Sequence, residues 1–96
     1  MGPRAIDQPP EREIVLTPSA WDHICRRHPE LAAFREDILL AVSAPEATTR
    51  DLRYSARWRL YRSGVGPSRW LAVVVDFTED PARIVTAHGF RKEQPR

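Results

Sequence analysis

The near-continuous apolar run from Trp70 to Phe77 constrains the fold most, because it holds three successive valines and only one charged residue, Asp76. β-Branched residues favour strands, and a run without polar alternation is typical of a strand that is covered on both sides. Such a strand has to lie inside a sheet, and at least one further layer has to cover that sheet. With 96 residues, the chain has room for one small domain around this strand.

Two helices are predicted in the first half of the chain. Thr17 supplies an N-cap hydroxyl and Pro18 suits the first helical position, so a helix is expected over residues 18–27. Pro29 disfavours helical geometry in the residue before it, which ends this helix, and a second is expected over 30–42. Their apolar stripes are Trp21, Ile24, Cys25 and His28 on the first, and Leu31, Phe34, Ile38 and Val42 on the second.

The remaining segments show strand patterns, over residues 14–17, 47–49, 57–62 and 83–90 in addition to the central run. We therefore predict an α+β domain: a short N-terminal strand, two helices, then an antiparallel β-meander with the helices on one side. Alternation places Trp58 and Leu60 on one face of their strand, opposite Arg57, Arg59 and Tyr61. In the last strand it places Ile84, Thr86, His88 and Phe90 together. The expected core is Trp21, Ile24, Leu31, Phe34, Ile38, Val42, Leu60, Val73, Val75, Ile84 and Val85.

The chain divides into a Pro-rich arm and one domain. Pro3, Pro9 and Pro10 stand among polar residues, so residues 1–12 are expected to form a flexible arm and residues 13–93 a single domain. The first residues lack the apolar segment of a secretory signal, and no window is long enough to span a membrane. Cys25 is the single cysteine, which excludes an internal disulfide. A cytoplasmic protein without a membrane partner is expected.

The composition favours an anionic partner over a bound cofactor. Among the fifteen basic residues only Lys92 is a lysine, and the planar guanidinium of arginine binds phosphate with two parallel hydrogen bonds. An arginine-rich proteome would produce the same bias. Gly64 and Gly66 lack the helix and Lys-Ser/Thr of a phosphate loop, and the spacing of His23 and His28 puts them on nearly opposite sides of a helix. No cofactor and no metal are expected.

Imidazoles, guanidinium groups and hydroxyls can cleave RNA, because its 2′-hydroxyl is an internal nucleophile. Histidine can remove or supply a proton near neutral pH, and arginine can stabilise the crowded phosphorane. Each candidate also has a structural interpretation, such as a helix-end histidine bonded to a backbone carbonyl or an aromatic packed at a sheet edge. The candidates are His28, Tyr61, Thr86 and His88 for catalysis, and Arg27, Arg57 and Arg59 for phosphate binding.

Several short motifs resemble those of a known ribonuclease group. They are Trp21-Asp22-His23-Ile24, Arg27-His28-Pro29-Glu30, Tyr61-Arg62, Val73-Val74-Val75 and Arg83-Ile84-Val85-Thr86-Ala87. Together they are similar to the barnase, EndoU, colicin and RelE-like (BECR) metal-independent ribonucleases, especially phage-encoded members. The segment from Arg83 to Glu93 also resembles the last strand of BrnT toxins. RelE-like toxins often carry several lysines, whereas this chain has one.

The resemblance implies two helices on an antiparallel sheet and a role for each matched residue. His28 would be the catalytic imidazole at a helix end, and Arg27 its phosphate-binding neighbour. Tyr61 would be the strand aromatic and Thr86 the hydroxyl of the last strand, whereas His88 has no secure counterpart in the family.

Three functions are compatible with these residues. The first is a small endoribonuclease, a toxin or a phage or mobile-element hydrolase, with RNA as substrate and an antitoxin protein as partner. The second is a non-catalytic RNA- or protein-binding module of the same fold. The third is an interaction subunit that contacts proteins through Trp58, Trp70 and arginines, since these residue types are common at interface hot spots. The oligomeric state, the RNA target and the identity of an antitoxin do not follow from the residues.

Overall fold

The computed structural model describes residues 8–90, and these form the predicted α+β fold. Most of the Pro-rich arm and the predicted end of the domain at residues 91–93 lie outside the described residues. In chain order the elements are β1 (Ile14–Val15), α1 (Pro18–Arg27), a 3₁₀ turn (Pro29–Leu31), α2 (Arg35–Ser43), β2 (Ala47–Arg50), β3 (Arg57–Ser63), β4 (Trp70–Asp76) and β5 (Ala82–Phe90).

The five strands form one sheet in the order β1-β5-β4-β3-β2. Strands β2 to β5 pair antiparallel as a meander, and β1 pairs parallel to β5. The central position of β4 is confirmed, since residues 71–75 are all buried. β1 pairs only with Ala82 and Arg83. Within the described part of the chain, the outer edge of β5 beyond Arg83 therefore has no neighbouring strand.

The first helix has the predicted bounds and the predicted cap. Thr17 Oγ1 accepts a hydrogen bond from the Ala20 N–H at 3.1 Å, and Pro18 occupies the first turn. His28 caps the other end, donating its backbone N–H to the Ile24 carbonyl at 2.8 Å. Because Pro29 follows, the chain leaves the helix at His28 with φ of −136°. The imidazole of His28 therefore stands at a helix end rather than on a helix face.

The second helix is shorter than predicted and starts later. Pro29 begins a 3₁₀ turn instead, which ends at Leu31, and α2 starts only at Arg35. Phe34 between them has non-helical backbone angles, and its N–H donates to the Leu31 carbonyl at 2.9 Å. This tight turn puts Leu31 into the core with no exposed surface. The predicted helix is thus interrupted where Leu31 is buried, and the spacing of apolar residues alone did not indicate this interruption.

An irregularity in β5 makes the predicted alternation of that strand wrong. Val74 is paired with Thr86, but the next residue, Val75, is paired with Ile84, so Val85 is an extra residue without a partner on β4. A bulge of this kind reverses the alternation on its far side. Ile84 therefore faces the helices and is not on the side of Thr86. Val85 was expected in the core but is only half-buried.

The core lies between the helices and one side of the sheet. Trp58 has 1 % of its surface exposed, which is incompatible with the prediction that it contacts a partner protein in an interaction subunit. Trp21, Phe34 and Val42 were expected in the core and are only partly buried against it. The buried cluster consists of Ile24, Leu31, Ile38, Ala41, Trp58, Leu60, Leu71, Val73, Val75, Phe77, Ala82, Ile84 and Ala87.

Gly89 of β5 is required by the close approach of the β3–β4 connection. A Cβ atom at this position would lie 2.6 Å from Ser68 Oγ and 2.9 Å from Ser68 Cβ. We expect Gly89→Ala to lower the free energy of unfolding by about 1–3 kcal/mol, the usual range for overpacking. Chemical denaturation measures this loss. Adding Ser68→Gly removes both clashing atoms, so the double variant should recover much of the loss; equal losses with and without Ser68→Gly would contradict this explanation.

Candidate functional site

The side of the sheet opposite the helices carries most of the residues that the sequence marks for chemistry. We call this side the open face. Directly paired residues of neighbouring strands point to the same side, so the strand register arranges the open face in rows. From the C-terminal end of β5 towards its start, the rows are Ser63, Trp70 and Phe90; Tyr61, Ala72 and His88; Arg59, Val74 and Thr86; and Arg57, Asp76 and Arg83.

The two middle rows form a strip along β4 that we call the trough, with Ala72 and Val74 as its floor. Ala72 and Val74 on the central strand are small, whereas the strands on either side carry long or ring-bearing side chains at the same level. These flanking groups cover the floor, since Ala72 has no exposed surface and Val74 has 9 %. A ligand on this face would therefore meet the flanking imidazole, phenol, guanidinium and hydroxyl groups.

Two imidazoles meet at one side of the trough. The rings of His28 and His88 have centroids 6.2 Å apart and are tilted by 36°. α1 packs against β5, and His28 reaches His88 from the helix end, beside the stretch of β5 that no other described strand adjoins. A carboxylate oxygen of Glu30 lies 3.6 Å from His28 Nδ1, close enough for an ion pair when that ring is protonated. The two histidines thus have different surroundings.

The pKa of His88 is lowered from the usual value of 6.5. Burial of the ring is the largest cause, and the positive charges of His28 and Arg59 add to it. Burial removes water from the charged form of the imidazole, and nearby cations disfavour a further positive charge. The lowered pKa therefore favours neutral His88 near pH 7, and Arg59 is close enough to influence it.

The lowered pKa of His88 makes stability depend on pH. The folded protein binds this proton less tightly than the unfolded chain, so protonation favours unfolding. The stability associated with neutral His88 is present above the ordinary value of 6.5 and is lost as the pH falls through the lower folded-state pKa. We expect His88→Gln to reduce the fall in Tm between about pH 7.5 and about pH 5. An unchanged pH dependence in His88→Gln would contradict the assignment.

Tyr61 lies across the trough from His88 and is held firmly. Its hydroxyl is 3.0 Å from Thr49 Oγ1, and the edge of its ring meets Phe90 at a centroid distance of 5.6 Å. Only 5 % of Tyr61 is exposed, so its ring belongs to the wall of the trough. Thr86 is in the neighbouring row on the other side of β4 and is half-buried. Thr49 was not among the predicted site residues, because a lone threonine in a weak strand pattern carries no specific signal.

The three predicted phosphate-binding arginines have different surroundings. Arg59 Nη2 lies 3.3 Å from a carboxylate oxygen of Asp51, and 38 % of the Arg59 side chain is exposed. Arg57 Nε lies 3.1 Å from Asp76, and its guanidinium stands 4.7 Å from the ring centre of Tyr54. Arg27 is exposed on the last turn of α1 and is not part of the rows. Only Arg59 of the three is close enough to influence His88.

Asp51 holds Arg59 in place and is itself held by a turn. One of its carboxylate oxygens accepts the backbone N–H groups of Arg53 at 2.7 Å and Tyr54 at 2.9 Å. These two bonds, that of Tyr54 first, lower the pKa of Asp51, with smaller contributions from Arg59 and Arg57. Sequence reasoning missed this residue, although aspartate before a turn is a recognisable signal for such bonds.

The third histidine lies elsewhere. His23 lines a cavity of about 650 Å³ between the start of α1 and the β4–β5 connection, together with Thr17, Ser19, and Asp76 and Arg83 of the last row; no residue of the two middle rows lines it. This position makes His23 a matched control for the histidines of the open face. Among residues 8–90, no group of three His, Cys, Asp or Glu side chains is arranged to hold a metal ion. Within the same residues, no helix is long and apolar enough to cross a membrane.

Comparisons with protein-family models, with curated proteins and with solved structures give no match for this chain.

Proposed function

We propose that this protein is a small metal-independent endoribonuclease that cleaves RNA by 2′-hydroxyl transesterification on the open face. The observation that carries the proposal is the pair of imidazoles, His28 and His88, 6.2 Å apart between ring centroids beside the guanidinium of Arg59. Cleavage of this kind requires a base, an acid and a cation around one phosphate, and these three groups provide them.

His88 is the general base in the proposed reaction, because its lowered pKa keeps it neutral. It takes the proton of the 2′-hydroxyl, whose oxygen then forms a bond to the adjacent phosphorus. The bond from phosphorus to the 5′-oxygen breaks, and protonated His28, paired with Glu30, supplies the proton to that oxygen. The products are a 2′,3′-cyclic phosphate and a free 5′-hydroxyl, so no further reactant is consumed in this step.

Arg59 is the cation that stabilises the phosphorane in the proposed reaction. Its contact with Asp51 involves Nη2, which leaves other guanidinium N–H groups for phosphate oxygens. Because Asp51 is fixed by backbone bonds, the guanidinium needs little reorganisation when charge develops. The hydroxyls of Tyr61 and Thr86 lie in the same two rows, and we assign them to hydrogen bonding with the phosphate or the ribose. Arg57, one row further, and the exposed Arg27 would bind flanking phosphates.

The direct test is incubation of the purified protein with a short end-labelled RNA in the presence of EDTA. The expected result is cleavage of the RNA to a 2′,3′-cyclic phosphate, identified by mass spectrometry. The same strand with a single 2′-deoxy sugar should resist cleavage at that linkage, because the internal nucleophile is missing. An intact RNA after long incubation, or cleavage that continues at the 2′-deoxy position, would contradict the proposal. RNA binding without cleavage would favour the non-catalytic module.

The biological setting is proposed from the same chemistry. A small ribonuclease of this kind is harmful to the cell that makes it, so we propose that it acts in the cytoplasm as a toxin or a phage or mobile-element nuclease and is neutralised by an antitoxin protein. Induced expression should arrest growth, and an inactive His88→Ala variant should not. Equal growth with both proteins would contradict the toxin assignment.

Substitutions of Arg59 distinguish phosphate binding by the planar guanidinium from a general effect of positive charge. Arg59→Lys keeps the charge but loses the planar pair of donors, so the cleavage rate should fall about 10- to 100-fold while RNA affinity changes less. Arg59→Gln should weaken both and reduce the slope of log affinity against log salt by about 1. Arg26→Lys is the control, because Arg26 also pairs with a carboxylate, that of Asp22 at 2.9 Å, but is exposed on α1. Equal effects at both positions would remove Arg59 from the site.

A further inference from the structure

The trough ends in an aromatic row that the proposed chemistry does not use. Trp70 on β4 and Phe90 on β5 are a directly paired couple on the open face. Their rings are nearly parallel, with an angle of 19° and centroids 6.4 Å apart. Both side chains are half-buried. Two large aromatic groups thus lie side by side on a sheet face that no helix within residues 8–90 covers.

The aromatic row adjoins the proposed catalytic groups directly. The Phe90 ring contacts His88 at a centroid distance of 6.2 Å and Tyr61 at 5.6 Å. Trp70 and Phe90 lie two residues along their strands from Ala72 and His88, a spacing of about 7 Å. That spacing is comparable to the separation between the base and the phosphate within one nucleotide. The order along the trough is therefore aromatic rings, imidazoles, then guanidinium.

We infer that Trp70 and Phe90 form a stacking site for one unpaired nucleobase of an RNA strand, next to the phosphate held between His88 and Arg59. This inference deepens the proposed function and rests on it. It restricts the substrate class to single-stranded RNA, because the base has to leave a helical stack to reach the rings. Stacking on an aromatic ring uses the π-face that every base has, so the site selects an unpaired base and not a particular sequence.

A base fits this surface better than an apolar protein side chain does. The residues that adjoin the rings are an imidazole, a phenol and, in the next row, a guanidinium, and these suit a phosphate-bearing ligand. A polyanion with flat apolar bases matches this combination of rings and cationic groups, whereas a hydrophobic peptide matches only the rings.

The test uses an RNA hexamer in which every sugar is 2′-O-methyl, so that it binds without being cleaved. A second hexamer has the same 2′-O-methyl backbone but is abasic at every position, and the affinity of both is measured by fluorescence anisotropy. In the wild type, the abasic hexamer should bind about 5- to 100-fold more weakly than the hexamer with bases, because it keeps the phosphates but has no base to stack. In Trp70→Leu, which keeps apolar bulk but lacks a ring, this difference should disappear. Trp70→Phe should retain most of this difference, because it keeps an aromatic ring. This result would show that the loss in Trp70→Leu is not caused by unfolding.

Tyr54→Leu is the matched control, because Tyr54 is a half-exposed aromatic residue outside the rows of the trough. It should leave the abasic penalty unchanged. The inference is overturned if the abasic hexamer binds as tightly as the hexamer with bases, or if the penalty is equal in Trp70→Leu and the wild type. Cleavage of the unmodified hexamer is measured separately. An abasic penalty that depends on Trp70 without any cleavage refutes the proposed reaction alone, and cleavage without such a penalty refutes the stacking site alone.

Discussion

Replacement of either imidazole by alanine is expected to lower the rate of RNA cleavage by about 10²–10⁴-fold, the usual contribution of a positioned acid or base. The double variant His28→Ala/His88→Ala should lose little more than the worse single variant, because the two groups act on one transition state and their effects are not additive. Single-turnover cleavage of an end-labelled RNA measures the rate. The neutral base and protonated acid together predict a bell-shaped pH–rate profile, whose acidic limb lies below the ordinary histidine pKa of 6.5 because the pKa of His88 is lowered.

His23→Ala is the control for this prediction. It removes an imidazole from α1 without touching the trough, since His23 lines the cavity near the β4–β5 connection. Its cleavage rate should stay within about twofold of the wild type, a difference below about 0.4 kcal/mol. Far-UV circular dichroism at the assay temperature, together with a thermal melt, establishes that the variants are folded in the assay. Activity that falls equally in all three single variants would indicate a loss of structure and would remove His28 and His88 from the site.

Trp58→Ala is expected to have the largest effect on folding. Trp58 has 1 % of its surface exposed and belongs to the cluster between the helices and the sheet. Truncation of a buried aromatic residue costs about 3–5 kcal/mol, and a small domain has about 5–15 kcal/mol in total. Chemical denaturation should therefore show a midpoint far below that of the wild type, and some of the variant should be unfolded at 37 °C.

Tyr54→Ala provides the comparison for Trp58, because half of the Tyr54 side chain is exposed. Its ring contacts the guanidinium of Arg57 at 4.7 Å, an interaction worth about 0.5–1 kcal/mol at an exposed position. The free energy of unfolding should fall by no more than about that amount. If Trp58→Ala unfolds at the same denaturant concentration as Tyr54→Ala, the helix-covered side of the sheet is assigned incorrectly.

Local chemistry is sufficient to predict several parts of the site from the sequence. The helix end that carries His28 is set by Pro29, and the strand that carries Tyr61 and Arg59 is recognisable from its alternation. The ion pair between Arg59 and Asp51 is not predictable in the same way, because it joins residues of β3 and the β2–β3 connection whose distance depends on how the strands pair. The stacked pair of Trp70 and Phe90 likewise requires the register of β4 with β5.

The sequence by itself determined the element types, the start of α1 at Thr17 and Pro18, and the central position of β4, since capping, proline geometry and apolar runs act within a few residues. Only the tertiary structure decided that Val85 is an extra residue in β5. It also decided that His28 meets His88. These features depend on contacts between residues up to 60 positions apart. The alternating pattern within one strand does not show which residue of a distant strand it pairs with. The bulge is the physical reason that His88 lies on the open face with Tyr61 while Ile84 points into the core.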